Sequence, residues 1–397
     1  MRYRMFAIAL LLCLFGCNRP ASPPSHLTVA LPSWYAPDRV PAVGAALAEL
    51  GDAVEVKVLF GKREALQQKI LLGAQRGDFA DVALVRNEWL GPLVRSGGIL
   101  PLPEKTAAAA REQALPALLP AITHEGRIYA LPFDADAIVV WYRQDLARQA
   151  GLEPTLDWTI DEFLALAKAL SKDKPMVAFA GQRYANAALT FLPWHFSFGG
   201  TVTQQKRLAL SPAAATRALA FLASLPKKNL APRGAGGMAQ NEVFSGLAGG
   251  VYGLTVGGSW SRGMIEKQSR LADRISCLPF PGNGEHPGGT VVGGWSLVLL
   301  AGGDPQSKEL LELFFNPKIQ RDKLTQGGLL PARRDLLDDP WFADHRDGPT
   351  LRRSLERGRA LPLHTGVDDF LNRVATAQTE VLLGRKTPSE AAAALAP

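Results

Sequence analysis

Only three cysteines occur in 397 residues, and their positions exclude a disulfide framework. Cys13 lies inside an early apolar stretch and Cys17 ends it, so Cys277 is left alone in the body of the chain. The fold must therefore stand on its apolar core. Cys277, set in Ile275-Ser276-Cys277-Leu278, reads as a buried strand residue rather than a nucleophile. The six histidines, at 26, 124, 195, 286, 345 and 364, include no pair at metal-binding helical spacing. There is no His-Glu-x-x-His, no Cys-x-x-Cys and no Gly-x-Ser-x-Gly elbow. Gly384-Arg385-Lys386-Thr387 lacks the upstream glycine of a phosphate loop, and Gly282-Asn283-Gly284 lacks the third glycine of a dinucleotide site. No catalytic residue, metal ligand or cofactor is assigned, and the expectation is a protein that is not an enzyme. Beyond residue 25 no apolar run is long enough to span a bilayer.

What is present begins with Arg2 and Arg4, an apolar stretch over residues 6–15, and Leu14-Phe15-Gly16-Cys17. A basic start, a short apolar run and a small residue before cysteine make a cleavable export signal. The last four residues resemble a bacterial lipobox, which implies a signal over residues 1–16 and lipidation of Cys17. The polar, proline-rich residues 17–26 suit a tether. Such an address places the chain outside the cytoplasm, in the periplasm or on the outer face of the cytoplasmic membrane, away from ATP and nicotinamide cofactors. The formal charge of +7 drops by the two arginines of the signal, a modest surplus that suits phospholipid or an anionic membrane partner and not nucleic acid. Apolar content of 47% and charged content of 20% are those of an ordinary globular protein. About 380 residues remain after the signal, more than one core supports, so two lobes are expected.

Period-two alternation in Leu27-Thr28-Val29-Ala30-Leu31 and Val54-Glu55-Val56-Lys57-Val58 predicts half-buried strands. Helices are predicted over residues 40–50 and 64–76, followed by a strand at 81–85. Strand and helix in alternation predict an α/β lobe with a largely parallel sheet. Thr159-Ile160-Asp161-Glu162 is a capping box, and Thr387-Pro388-Ser389-Glu390 repeats a helix start with proline at the first position.

Eight tryptophans remain to be explained. Trp34-Tyr35 follows the first strand and Asn87-Glu88-Trp89 the third, where ligands of open α/β sheets gather. Gly257-Gly258-Ser259-Trp260 and Gly293-Gly294-Trp295 place an indole after flexible backbone. A sugar has one apolar face and a rim of hydroxyls, so an indole with Asp, Glu, Asn or Arg around it suits one well. Trp34, Trp260 and Trp295 are the candidates for ligand contact, whereas Trp141, Trp158 and Trp341 are assigned to packing. Asp134 and Asp136, two residues apart on an extended segment, share a face. Ligand hydrogen bonding or a structural role suits them better than acid–base chemistry, which needs further partners.

Several segments together resemble the bacterial extracellular solute-binding proteins of family 1, which deliver sugars to ABC importers. They are residues 69–82, residues 89–102 with their exit through Gly97-Gly98-Ile99-Leu100-Pro101-Leu102, and Ala130-Leu131-Pro132 through Trp141-Tyr142-Arg143-Gln144-Asp145-Leu146. The Thr159 box, Phe244 through Trp260, Gly327 through Arg333 and residues 383–392 follow in the family's order. The resemblance implies an α/β, two-lobed (type II) periplasmic-binding-protein fold with a ligand cleft between lobes. One lobe would comprise residues 27–133 and 281–330, the other residues 134–280 and 331–397. The three crossings are expected near Pro132–Asp136, Leu278–Gly282 and Gly328–Ala332. Glu88 and Trp89 would act from the first lobe, Trp260 from the second, with Asp134 near a hinge and Arg333 just beyond another. The partners so implied are a small-molecule solute, carbohydrate in the first instance, and the permease subunits of an ABC importer, with the protein acting as a monomer. A polyamine or other small solute, a lipid-anchored hydrolase and a lipoprotein solute sensor are the competing readings. The paired tyrosines of iron binders are missing.

Overall fold

The computed structural model describes residues 25–50, 54–61, 63–204, 207–304 and 307–396. The signal, Cys17 and most of the tether lie outside the described residues. Two six-stranded sheets organise the rest. In the first, the strands run in the order Val54–Gly61, Ser25–Pro32, Val82–Arg86, Trp295–Leu300, Ile99–Leu100, and Leu131–Pro132 also pairs with Trp295–Leu300. The strands predicted from alternation are here, and the first three are parallel. The helices Pro41–Ala48 and Arg63–Arg76 make the crossovers between them. Val82–Arg86 is buried throughout, which is why it reads as an unbroken apolar run rather than an alternating one.

The second sheet runs Gly358–Arg359, Thr290–Gly293, Asp136–Arg143, Leu254–Gly258, Val177–Ala178, with Ile275–Leu278 also on Asp136–Arg143. Cys277 is buried in that last strand. The Thr159 capping box forms in both directions: the Thr159 N–H donates to Glu162 Oε2 at 2.7 Å and the Glu162 N–H to Thr159 Oγ1 at 3.3 Å. Trp141 and Trp158 are both 1% exposed and pack the interior, as assigned. Among the described residues no helix is long and apolar enough to cross a membrane.

The chain passes between the sheets in three places. Leu131–Pro132 belongs to the first sheet and Asp136–Arg143 to the second. The second crossing is not at Leu278–Gly282. Thr290–Gly293 still pairs with Asp136–Arg143, and only Trp295 onward joins Val82–Arg86, so the chain crosses at Gly294. Gly282 instead stays with the second sheet's helices: its N–H donates to the Trp158 carbonyl and its carbonyl accepts from Ile160 N–H. Gly294 has φ 152°, and a Cβ there would lie 2.3 Å from the Asp134 carbonyl oxygen. Only glycine lets these two crossings touch. The third passage leaves the helix Pro317–Gly327 through left-handed Gly328, and Ala135 N–H donates to the Leu330 carbonyl at 3.0 Å.

Candidate functional site

Where the crossings meet, a cavity of about 600 Å³ opens between the sheets. Trp34, Tyr35, Arg86 and Trp295 line it from the first sheet's side, and Asp134 and Asp136 from the first crossing. Asn186, Asn241, Ser259 and Trp260 line it from the second sheet's side, and Gly328 to Leu330 from the third crossing.

Local structure explains each position. After Pro32 the first strand breaks into the single turn Ser33–Tyr35, which turns Tyr35 inward and leaves Trp34 37% exposed. Leu254–Gly258 ends with Ser259 tied to Ala137: the Ser259 N–H donates to the Ala137 carbonyl, and the Ala137 N–H to Ser259 Oγ at 3.1 Å. That tie sets Trp260 beside the first crossing, 39% exposed. A Cβ at Gly258 would come within 2.0 Å of the Trp260 ring, so glycine lets the indole lie back over the strand end. Trp295 sits under the site, edge-on to Trp34 at 5.6 Å, Tyr35 at 5.8 Å and Trp89 at 5.4 Å.

The floor is charged, and its charges are taken up internally. Arg86 donates through Nε and Nη2 to both oxygens of Glu88, each at 3.1 Å, and through Nη1 to Asp136 Oδ2 at 2.8 Å. Asp134 Oδ1 accepts the Trp295 N–H at 2.8 Å, and its Oδ2 accepts from the Tyr35 hydroxyl. Burial works against the Arg86 charge, but Glu88 and Asp136 outweigh it and hold the guanidinium firmly ionised. Burial pushes the Asp136 carboxyl up to about 6; Arg86 opposes the shift, and Asp134 and Glu88 add to it. Burial and the neighbouring Asp134 raise the Tyr35 phenol well above its ordinary value.

The Asp136 shift has a sign that can be checked. Its folded value exceeds the ordinary 3.8, so between about pH 4 and 6 the native state binds more protons than the unfolded chain. This group's contribution to stability therefore falls as pH rises through that window. Against Asp136→Asn, the wild type is expected to lose up to about 1.4 kcal/mol per pH unit there. Urea midpoints measured at pH 4, 5, 6 and 7 check it; a constant difference between the two proteins refutes it.

Of the residues proposed from sequence, Trp34, Tyr35, Asp134, Asp136, Trp260 and Trp295 come together around the cavity. Asn87, Glu88, Trp89 and Arg333 do not line it. The chain turns at Asn87–Trp89, where Asn87 Oδ1 accepts from Ser296 Oγ at 2.6 Å and Trp89 is buried against Trp295. Glu88 is held by Arg86, which lines the cavity in its place. Arg333 grips both oxygens of Asp335 and donates to Gln113 Oε1 at 2.6 Å and the Phe315 carbonyl, facing away from the cleft. Arg86, Asn186, Asn241 and Ser259 were not anticipated. Arg86 carried a signal, a charge ending an otherwise apolar strand; the two asparagines carried none. Among the described residues no group of three or more His, Cys, Asp or Glu could hold a metal ion.

Residues 38–321 match the profile of a family described as bacterial extracellular solute-binding protein. A putative binding protein of Brucella abortus (strain 2308) is 21% identical over 332 residues, covering 82% of this chain and 80% of that protein. A maltotriose-binding protein of Pyrococcus abyssi (strain GE5 / Orsay) is 22% identical over 296 residues, covering 72% of this chain and 62% of its own length. The crystal structure of an ABC transporter solute-binding protein from Thermotoga lettingae TMO, bound with α-D-tagatose, superposes with a TM-score of 0.80. It is 21% identical, and the match covers 92% of this chain and 96% of that one. This likeness establishes the two-lobed type II fold.

Proposed function

The chain belongs to the bacterial extracellular solute-binding proteins, and from that premise we propose that it captures a neutral sugar or oligosaccharide in the cleft and delivers it to an ABC importer. One lobe is built on residues 27–133 and 295–333, where Ala332 and Arg333 still bond to Gln320, Gln113 and Phe315, and the other on residues 134–293 and 334–397. Hinged closure brings the walls of both lobes onto the ligand, so the shut form is selected only when the ligand is present. The export signal and lipidated Cys17 hold the monomer outside the cytoplasm, beside the membrane that carries the permease.

One observation carries the choice of a neutral ligand. Two half-exposed indoles, Trp34 and Trp260, face the cavity from different lobes, above a floor whose carboxylates are already engaged. Arg86 is spent on Glu88 and Asp136, so an anionic ligand finds a compensated cation and three nearby carboxylates. A polyamine would need to take Asp136 from Arg86 or Asp134 from Tyr35 and the Trp295 N–H, exchanging buried hydrogen bonds for new ones. An uncharged polyol needs neither. Asn241 and the Ser259 hydroxyl offer it polar contacts on the second lobe's wall, and the indoles take its apolar face. The ligands named for the two relatives above, maltotriose and tagatose, support the same class.

A thermal-shift screen against maltotriose, D-tagatose, galacturonate and spermidine tests this, since a ligand bound only by the native state raises the melting temperature. Neutral sugars are expected to raise it by several degrees, and galacturonate and spermidine to leave it unmoved. A shift with spermidine alone would establish a polyamine binder instead.

A further inference from the structure

The turn that carries Trp260 is tied down on both sides. Before it, Ser259 is bonded to Ala137 beside the first crossing. After it comes Arg262, whose N–H donates to the Ser259 carbonyl at 3.1 Å and which is only 3% exposed. The Arg262 guanidinium donates through Nη2 to the Gly328 carbonyl at 2.7 Å. Gly328 ends the helix Pro317–Gly327 and opens the third crossing, so its carbonyl is one that the helix leaves without an internal partner. This bond runs from the second lobe to the first. Gly328, Leu329 and Leu330 line the cavity together with Trp260.

The rest of the guanidinium is held less well. It lies over the Trp341 ring at 4.6 Å, and His345 stacks on that ring at 4.4 Å. Nη1 faces His345 Nε2 at 3.3 Å, and the ion pair with Glu266 Oε1 is long at 3.6 Å. Nε is buried and has no hydrogen-bond partner among the described residues. A buried charge is costly unless it is paired and hydrogen-bonded. Packing against Trp341 calls only for an apolar stem, which methionine would supply. What the guanidinium adds is the bond to Gly328.

We infer that Arg262 is a positioning residue of the ligand site: through the Gly328 carbonyl it sets the third crossing against the Trp260 indole and so fixes the subsite between them. The inference rests on the neutral-sugar reading above. Ser259 holds Trp260 within its own lobe whether or not Arg262 is present. Arg262 therefore contributes the placement of Gly328, Leu329 and Leu330 relative to that indole. Trp34 stands on the other wall, in the turn Ser33–Tyr35, and takes no part in this linkage.

Isothermal titration with maltotriose or D-tagatose, whichever binds the wild type, tests the inference in three backgrounds. In the wild type, Arg262→Met is expected to weaken binding by about tenfold, the cost of losing one well-placed group at a binding surface. Arg262→Lys, which keeps a donor for the Gly328 carbonyl, is expected to recover part of that loss. In Trp260→Ala, the change Arg262→Met should cost no more than about twofold, because the subsite it positions is already gone. In Trp34→Ala it should cost its full amount. A merely structural arginine would give a lower melting temperature with unchanged affinity, or an equal loss in both tryptophan backgrounds. Either result overturns the inference. If Arg262→Met does not fold, Arg262→Gln, too short to reach the Gly328 carbonyl, takes its place with the same expectations. If neither sugar binds the wild type and spermidine does, the neutral-sugar reading fails, and the same titrations with spermidine decide this inference. A wild type that binds none of the three overturns both.

Discussion

Arg86→Met should lower the unfolding free energy by about 3–5 kcal/mol, the cost of removing one partner from a buried ionic cluster. Arg86 is 6% exposed, and the Glu88 and Asp136 side chains it joins are 11% and 13% exposed, so little water can replace it. Met matches the aliphatic stem and the cavity wall closely enough that lost packing is a small part of the effect. What remains is the Glu88 and Asp136 carboxylates without their shared cation, with Asp134 nearby, in a site where burial, Asp134 and Glu88 already push the Asp136 carboxyl up. Asp136 relieves the strain by taking up a proton, so the deficit is expected to be smaller at pH 5 than at pH 8. Arg86→Met/Glu88→Gln/Asp136→Asn removes the charges as well and should recover most of the loss. Urea denaturation of the three proteins at both pH values reads this out. A deficit independent of pH, or a triple variant no more stable than the single one, would show that Arg86 acts through packing.

That cluster also marks the limit of what the sequence makes legible. Local signals were dependable wherever one segment holds its own answer. The Thr159–Glu162 spacing formed the reciprocal cap, Thr387 and Glu390 did the same, and the alternating segments near residues 27–31 and 54–58 became adjacent parallel strands. Long-range partners were not legible. Leu278–Gly282 has the proline and glycine of a crossing, yet Thr290–Gly293 finds its hydrogen bonds on Asp136–Arg143, more than 140 residues earlier in the chain. Arg333 stands just past a crossing, but the acid two residues on and the Phe315 carbonyl turn it away from the cleft. Trp89 follows a strand end as Trp34 does and both lie edge-on to Trp295, yet Trp89 is buried and Trp34 lines the cavity 37% exposed. Aromatics announced the site because glycine stood before two of them; the asparagines that complete it sit in ordinary helical sequence.

Trp260→Ala should weaken the binding of whichever neutral sugar gives the largest thermal shift by roughly 10- to 100-fold, or about 1.4–2.8 kcal/mol. The indole lines the cavity 39% exposed and makes no ring contact with the cluster around Trp295, so its truncation removes cavity wall more than core. The ligand-free melting temperature should stay close to the wild type's. Trp34→Ala gives the contrast. Trp34 packs at 5.6 Å from Trp295 and 6.3 Å from Tyr35, so losing it costs some stability as well as affinity. If stacking on two walls is what holds the sugar, each single variant retains weak binding and the double variant has none measurable. Their effects should exceed the sum of the singles, because a ring held by one indole leaves the closed form less favoured. Isothermal titration of the four proteins with the same sugar supplies the cycle. Unchanged affinity in Trp260→Ala would move the ligand off the second lobe's wall and toward Tyr35, Arg86 and the first crossing.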